Sequence, residues 1–174
     1  MLTLTGNNIY LRALEPEDLD FVLEVENTED FWEVSSTRVP YSRYLIKKYI
    51  QNSHLDIFEV KQLLMICSKD ARRLGMIDVF DLEPRDRRAA LGILIVNKDD
   101  REKGYGSEVL SLITNYCFTH LGLHQIYVNV DIQNIASIRL FEKFNFRKVG
   151  IKKDWVLKKG KFTDEILYQL INVH

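Results

Sequence analysis

Apolar and polar positions along the chain recur at two periods, one of strands and one of helices. Ile9 to Ala13 alternates and predicts a strand. Glu15-Pro16-Glu17-Asp18 then opens a helix, because Pro suits a first turn and acids suit the positive end of the helix dipole. Leu19, Phe21, Val22 and Val25 supply its apolar face, and it ends near Asn27. Phe31 to Tyr41 is aromatic but without a period, which predicts an irregular segment. Ser42 caps a second predicted helix with Tyr44, Leu45, Tyr49 and Ile50 as its apolar positions. Strands follow at Gln62–Ser68, Leu74–Asp81 and Ala89–Val96. The polar turn Lys69-Asp70-Ala71-Arg72-Arg73 and a charged connector from Leu82 to Arg88 join them.

The second half is more regular. Val109, Leu110, Leu112, Ile113, Tyr116, Cys117 and Leu121 mark a buried helix over Ser107–Leu121. Gly122 closes it as a left-handed cap. Gln125–Ile132 is a strand, Asn134 caps a helix over Ile135–Phe144, and Asn145 sits where the exit needs a left-handed residue. Arg147–Lys158 and Asp164–Ile171 are two strands joined around Lys159-Gly160-Lys161. Short turns between successive strands predict antiparallel pairing, and the strand-helix-strand unit over 89–132 predicts one parallel pair. The fold class is therefore α+β, a mixed and mostly antiparallel sheet with helices on both faces, in one domain over 1–174.

Composition narrows the classes. Hydrophobic content of 46% with 28% charged residues is that of a globular chain. A net charge of −1 gives no global basic field, so no nucleic-acid partner is expected. No apolar run reaches the length of a membrane span, and Met1 to Asn8 carries no basic-then-apolar leader. Cys67 and Cys117 lie in apolar runs far apart, which fits buried thiols in a reducing compartment better than a disulfide or a metal site. The expected location is the cytoplasm, and no metal is expected.

The candidate chemistry centres on the strand ending at Val96, the charged segment Asn97 to Lys103, and Gly104-Tyr105-Gly106-Ser107 at the start of a helix. Unpartnered first amides and the helix dipole make such a start a site for an anion. Gly104 and Gly106 are expected to clear side chains from those amides. The segment has no Gly-Lys-Ser/Thr and no third glycine, so neither a triphosphate loop nor a dinucleotide fingerprint fits.

Three motifs carry a family resemblance. Arg101-Glu102-Lys103-Gly104-Tyr105-Gly106 fits Arg/Gln-x-x-Gly-x-Gly/Ala and resembles the acyl-CoA pyrophosphate loop of the GNAT superfamily of N-acetyltransferases. Asn134-Ile135-Ala136-Ser137-Ile138-Arg139-Leu140-Phe141-Glu142-Lys143-Phe144-Asn145-Phe146 resembles the second GNAT motif, one helix and one strand later. Gly160-Lys161-Phe162-Thr163-Asp164 through Tyr168 is similar to the closing hairpin of the branch holding spermidine/spermine and ribosomal-protein N-terminal acetyltransferases, as is the opening run Tyr10 to Leu19. The landmarks span residues 9 to 170 in order.

The resemblance implies a GNAT acyl-CoA N-acyltransferase fold, acetyl-CoA as cosubstrate, an amine acceptor and direct transfer. It assigns the pyrophosphate to Arg101, Glu102, Lys103, Gly104, Tyr105, Gly106 and Ser107, and the pantetheine arm to the strand at Val96 and to Asn134. Lys143 or Arg139 either reaches the nucleotide phosphates or decorates a solvated helix face. The acceptor is a small amine (polyamine, amino sugar or similar) or a protein N-terminus. The branch also suggests a homodimer. An acyl-CoA-binding regulatory module is the alternative function.

Two family positions depart from the pattern. Phe141 stands where many members carry a Tyr that protonates the leaving thiolate, and Leu91 aligns with a Glu that relays the amine proton. Glu33 and Asp78 are the replacement candidates, Glu33 from the aromatic segment and Asp78 from a strand where it interrupts apolar neighbours. Tyr127, Tyr168 and His124 read better as packing or structural residues. Trp32, Tyr41 and Trp155 make either an aromatic wall for the acceptor or a satellite cluster.

Overall fold

The computed structural model describes residues 4–35, 37–53 and 62–173, with the backbone alone at 33–35 and 62. Among these, the strands are β1 (Ile9–Ala13), β2 (Gln62–Ser68), β3 (Arg73–Glu83), β4 (Arg88–Ile95), β5 (Gln125–Asp131), β6 (Arg147–Lys158) and β7 (Lys161–Ile171). They form one sheet in the order β1-β2-β3-β4-β5-β7-β6. Every neighbouring pair is antiparallel except β4 and β5, as the turn lengths predict. The helices are α1 (Leu19–Asn27), α2 (Glu29–Ser35), α3 (Arg43–Asn52), α4 (Lys98–Arg101), α5 (Tyr105–Thr119) and α6 (Ile135–Lys143).

Strand alternation divides the apolar residues between two cores. Leu64 and Ile66 of β2 join Val109, Leu110, Ile113 and Cys117 of α5 and Phe141 of α6 on one face. Leu63, Met65 and Cys67 join Val22 and Val25 of α1 and Ile46 and Ile50 of α3 on the other. Helices therefore cover both faces. Caps read from the sequence are in place: Ser42 accepts from the Leu45 N–H at 3.2 Å, Asn134 accepts from the Ser137 N–H at 3.2 Å, and Asn145 is left-handed at φ 64°.

Three local predictions change. Residues 29–35, expected in part as irregular, form α2, with Glu29 and Asp30 in its first turn. In α3 the buried positions are Ile46 and Ile50, four apart, while Tyr44 and Leu45 are 71% and 51% exposed. The charged segment after β4 is not a loop throughout, since Lys98–Arg101 is the single turn α4, and α5 begins at Tyr105.

A buried carboxylate ties the first strand to the third. Asp18 is fully buried at the start of α1. Arg12 of β1 donates to it twice, at 2.6 and 2.9 Å, Arg73 of β3 donates at 2.6 Å, and the Glu15 N–H donates at 2.9 Å. Burial pushes the carboxyl pKa up, and these bonds outweigh it and hold the group at about 2. The run Tyr10 to Leu19 therefore has a structural role: its Arg and Asp close on each other.

One feature of the sheet makes room for a ligand. Pairing of β4 with β5 is confined to Arg88, Ala89 and Ala90 against Gln125, Ile126 and Tyr127. Both strands continue, but β5 stays with β7 and β4 stays with β3. From Leu91 onward the two strands part.

Candidate active site

The gap between β4 and β5 widens into a cleft of about 1050 Å³. Ile93, Leu94 and Ile95 of β4 line it, with Gly104, Gly106 and Ser107 at the start of α5, Asn134, Ser137, Arg139, Leu140 and Lys143 around α6, and Glu29, Asp30 and Phe31 of α2. Phe31 packs in the core under α1 and α3, and Leu140 packs in the core under α5. The cleft therefore passes through the sheet from one face to the other. The α4, α5 and α6 side presents Lys98, Arg101, Arg139 and Lys143, while α2 presents two carboxylates and a phenyl ring.

The anion end is built from backbone. Gly104 adopts φ 81°, a left-handed turn into α5 that a side chain would strain. The first bond of the helical ladder runs from the Glu108 N–H to the Gly104 carbonyl at 3.2 Å. The N–H groups of Tyr105, Gly106 and Ser107 precede that ladder and face outward at the positive end of a four-turn helix. Lys143 of α6 reaches over them, its Nζ donating to the Ser107 Oγ at 3.3 Å.

The other expected contributors to this end make further contacts of their own. Gly106 lines the cleft, and a Cβ there would meet the Leu140 Cδ2 at 3.1 Å, so the glycine also lets α5 and α6 approach. Lys103 donates to Asp100 at 3.0 Å and is not on the cleft wall. Tyr105 packs against the core under α5. Arg101 folds back, donating to the carbonyls of Ile95 and Val96 at 3.0 and 3.3 Å. Glu102 lines the cleft from the end of α4. Val96 lines the cleft just past the end of β4 and gives its N–H to the Leu74 carbonyl at 3.0 Å, on the β3 side. By alternation, Ile93 and Ile95 turn their backbone groups toward the gap. The Asn134 carbonyl oxygen is engaged in capping α6 at the cleft edge.

The catalytic candidates sort differently from expectation. Phe141 is 4% exposed, packs edge-on against Phe146 at 5.2 Å, and does not line the cleft, whereas its neighbour Leu140 does. A helix face turns every residue by about 100°, so the motif alone does not say which of the two points outward. Leu91 is buried in the core under α5. Gly92 is the next residue along β4, and Asp78 of β3 lies directly across from it. Asp78 is half-buried on the face of α1 and α3. Burial first, then the nearby charges of Asp78 and Glu26, push the Tyr49 phenol up, which puts two carboxylates close to one ring on this face. Glu33 lies on α2, and its side chain is outside the described residues.

The remaining aromatic and polar candidates do not line the cleft. Tyr168 is buried and donates to Glu142 at 2.9 Å. Tyr127 reaches to 3.4 Å from Asp81. His124 gives its backbone N–H to Arg87 at 2.7 Å. Trp32 donates from its indole to the Glu26 carbonyl at 3.0 Å, Tyr41 is held by Asn27, and Trp155 stands on the edge strand β6 under the Lys152 ammonium. Asp164 of the closing hairpin motif accepts from the Asp154 N–H at 2.9 Å and so holds the bulge of β6.

The residue that sequence reasoning missed is Asp100. It is buried while Asp99, Arg101 and Glu102 around it are exposed, and nothing in a run of six charges, Lys98 to Lys103, distinguishes it. Its partner, Arg72, is 28 positions away.

A sheet that splays beside a cationic helix start takes an extended anionic ligand with its chain between two strands. That architecture has relatives. The family description "Acetyltransferase (GNAT) domain" matches residues 8–147, and the chain belongs to this acetyltransferase family. Over 97% of both chains it is 28% identical to a probable N-acetyltransferase, YjcK, of Bacillus subtilis. It is 25% identical to the spermidine N(1)-acetyltransferase of Escherichia coli, over 93% of this chain and 85% of that one. The crystal structure of spermidine N-acetyltransferase from Vibrio cholerae in complex with CoA and spermine superposes with a TM-score of 0.85, at 23% identity, over 95% of this chain and 96% of the other. The protein is an N-acetyltransferase, and its family uses acetyl-CoA as the acetyl donor. The cleft fits that donor: its wall joins the start of α5 with the cations Lys98, Arg101, Arg139, Lys143 and Lys159.

Proposed function

We propose that the protein transfers the acetyl group of acetyl-CoA to a primary amine of a small cationic molecule, with polyamines as the first class and amino sugars and protein N-termini behind them. The observation that carries this reading is the charge asymmetry of the cleft. Cations gather where the donor's phosphates would lie, and Glu29 and Asp30 stand beside Phe31 at the other opening. An acidic and aromatic mouth attracts an ammonium on an aliphatic chain. The similarity to the Escherichia coli spermidine enzyme supports the same class.

Acetyl-CoA supplies an activated thioester, so the chain has to deliver a neutral amine to it. An alkylamine of pKa about 10.4 costs roughly 4–5 kcal/mol to deprotonate near pH 7. Juxtaposition in a closed site supplies roughly 7–11 kcal/mol. Asp78 supports the reading as the group that draws the ammonium in and relays its proton. It lies opposite Gly92, at the level where β4 and β5 begin to part. A thiol of pKa about 8.5 leaves tolerably without a general acid, so Phe141 does not prevent transfer.

The test is CoA thiol release from acetyl-CoA with spermidine, spermine, glucosamine and an unblocked peptide. Turnover with the polyamines above the others supports the reading. Turnover confined to the peptide moves the acceptor class. Acetyl-CoA binding without turnover on any amine favours the alternative, a regulatory acyl-CoA-binding module.

The exposed apolar residues of the β6–β7 hairpin support self-association as part of this reading. Trp155, Leu157 and Phe162 are each about 60% exposed on the edge of the sheet. A spermidine N-acetyltransferase structure from Vibrio cholerae is described as dodecameric. We place the chain in solution as a homodimer or higher assembly, checked by light scattering of wild type and Phe162→Asp. The buried thiols of Cys67 and Cys117 support a reducing, cytoplasmic setting.

A further inference from the structure

We infer that Asp100 is the positioning residue of the phosphate loop: it fastens α4 to the β2–β3 turn and thereby sets where the N–H groups of Tyr105, Gly106 and Ser107 stand in the cleft. This rests on the reading that those groups hold the donor's pyrophosphate.

The Asp100 side chain is 2% exposed, although it lies in a charged surface run. Arg72 grips it with both terminal nitrogens, at 2.7 and 3.1 Å, and Lys103 adds a third bond at 3.0 Å. Two-pronged Arg–carboxylate pairing fixes orientation as well as distance. Arg72 is itself held. Its N–H donates to the Ser68 Oγ at 3.1 Å, its carbonyl accepts from the Ser68 N–H at 3.0 Å, and the Ser68 hydroxyl donates to Asp70 at 2.5 Å. The anchor is thus a stiff turn at the end of two core strands.

On the other side, the Asp100 backbone carbonyl accepts from Lys103 at 3.4 Å, one residue before the left-handed Gly104. The carboxylate therefore fixes the turn immediately ahead of the anion-facing amides. Asp100 does not line the cleft, so its action passes through the backbone. It also engages Arg72 and Lys103, neither of which lines the cleft, whereas Lys98, Arg101, Arg139, Lys143 and Lys159 do.

The experiment compares acetyl-CoA with S-acetylpantetheine, which has the thioester and the arm but no nucleotide phosphates. Wild type, Asp100→Asn, Arg72→Met and the double variant are assayed with both donors, and their melting temperatures are recorded. The expected result is an acetyl-CoA KM raised about tenfold in each single variant and no further in the double, with kcat within about twofold. Transfer from S-acetylpantetheine stays at the wild-type rate. An unchanged acetyl-CoA KM in a folded Asp100→Asn overturns the inference, as does an equal loss with both donors. A wild type that uses the two donors equally well overturns the phosphate reading of the loop instead, and so separates the two failures.

Discussion

Gly92 lies directly across the β3–β4 ladder from Asp78, and a methyl group at Gly92 would sit 3.5 Å from the Asp78 Oδ2. That distance is ordinary contact, so Gly92→Ala folds, but it covers the carboxylate from the side of the parted strands. Asp78→Asn is expected to lower kcat for amine acetylation by roughly 10²–10⁴ while the acetyl-CoA KM stays near wild type. Gly92→Ala is expected to raise the amine KM more than it lowers kcat. Steady-state kinetics at saturating acetyl-CoA check both. Full activity in Asp78→Asn assigns the proton to another route.

Two lysines of the donor site separate by their partners. Lys143 reaches Ser107 at 3.3 Å on the cleft wall, whereas Lys103 is held by Asp100 away from it. Lys143→Met is expected to weaken acetyl-CoA binding about fivefold and to reduce its salt dependence, with Lys103→Met costing less. Calorimetry at two ionic strengths measures the difference. Equal losses at the two positions contradict the assignment.

Local signals in this chain were legible and long-range directions were not. Ser42, Asn134 and Asn145 bound helices by chemistry confined to one turn, and all three do so in the structure, whereas α5 ends at Thr119 with His120 as its cap and the left-handed Gly122 follows two residues later. Two of the three motifs also located most of the cleft, since much of its wall comes from residues 93–107 and 134–143, while residues 29–31 lie outside every motif. Which way Val96, Gly106 and Phe141 point depends on strand register and on how α5 and α6 cross, and no hexamer encodes that. Leu91 and Gly92 show the same limit, because adjacent strand residues face opposite cores. α2 did leave a signal: Glu29 and Asp30 precede Phe31-Trp32 as acids precede an apolar helical turn. The short length of the helix hid it.

Gly106 offers a stability test of helix packing. A Cβ at Gly106 meets the Leu140 Cδ2 at 3.1 Å, too close without a shift of α6 or of the leucine. Gly106→Val is expected to destabilise by about 1–3 kcal/mol. Leu140→Ala in the same chain makes room, so the double variant should be more stable than the sum of the singles by at least about 0.5 kcal/mol. Urea denaturation of the four proteins gives the coupling. Additive losses show that the valine acts elsewhere, on the N-terminal turn of α5.

Asp18 makes the fold acid-sensitive in a defined window. Its carboxyl pKa falls from the ordinary 3.8 to about 2 in the folded chain, because the bonds from Arg12, Glu15 and Arg73 favour the charged form over the cost of burial. A depressed folded pKa means stability that is fully present above the unfolded value and lost as pH falls through the folded one. The shift corresponds to about 2 kcal/mol, fully present at neutral pH and vanishing between about pH 4 and 2. Asp18→Asn leaves two buried-facing guanidinium groups without their charge partner, so its cost at pH 7 is larger, about 3 kcal/mol. The gap in unfolding free energy between wild type and Asp18→Asn should stay constant from pH 7 to 5 and narrow as the pH drops below 4. Denaturant titrations at stepped pH measure it. A gap that stays constant down to pH 2 removes Asp18 as the titrating group and leaves its hydrogen-bond geometry as the source of the loss.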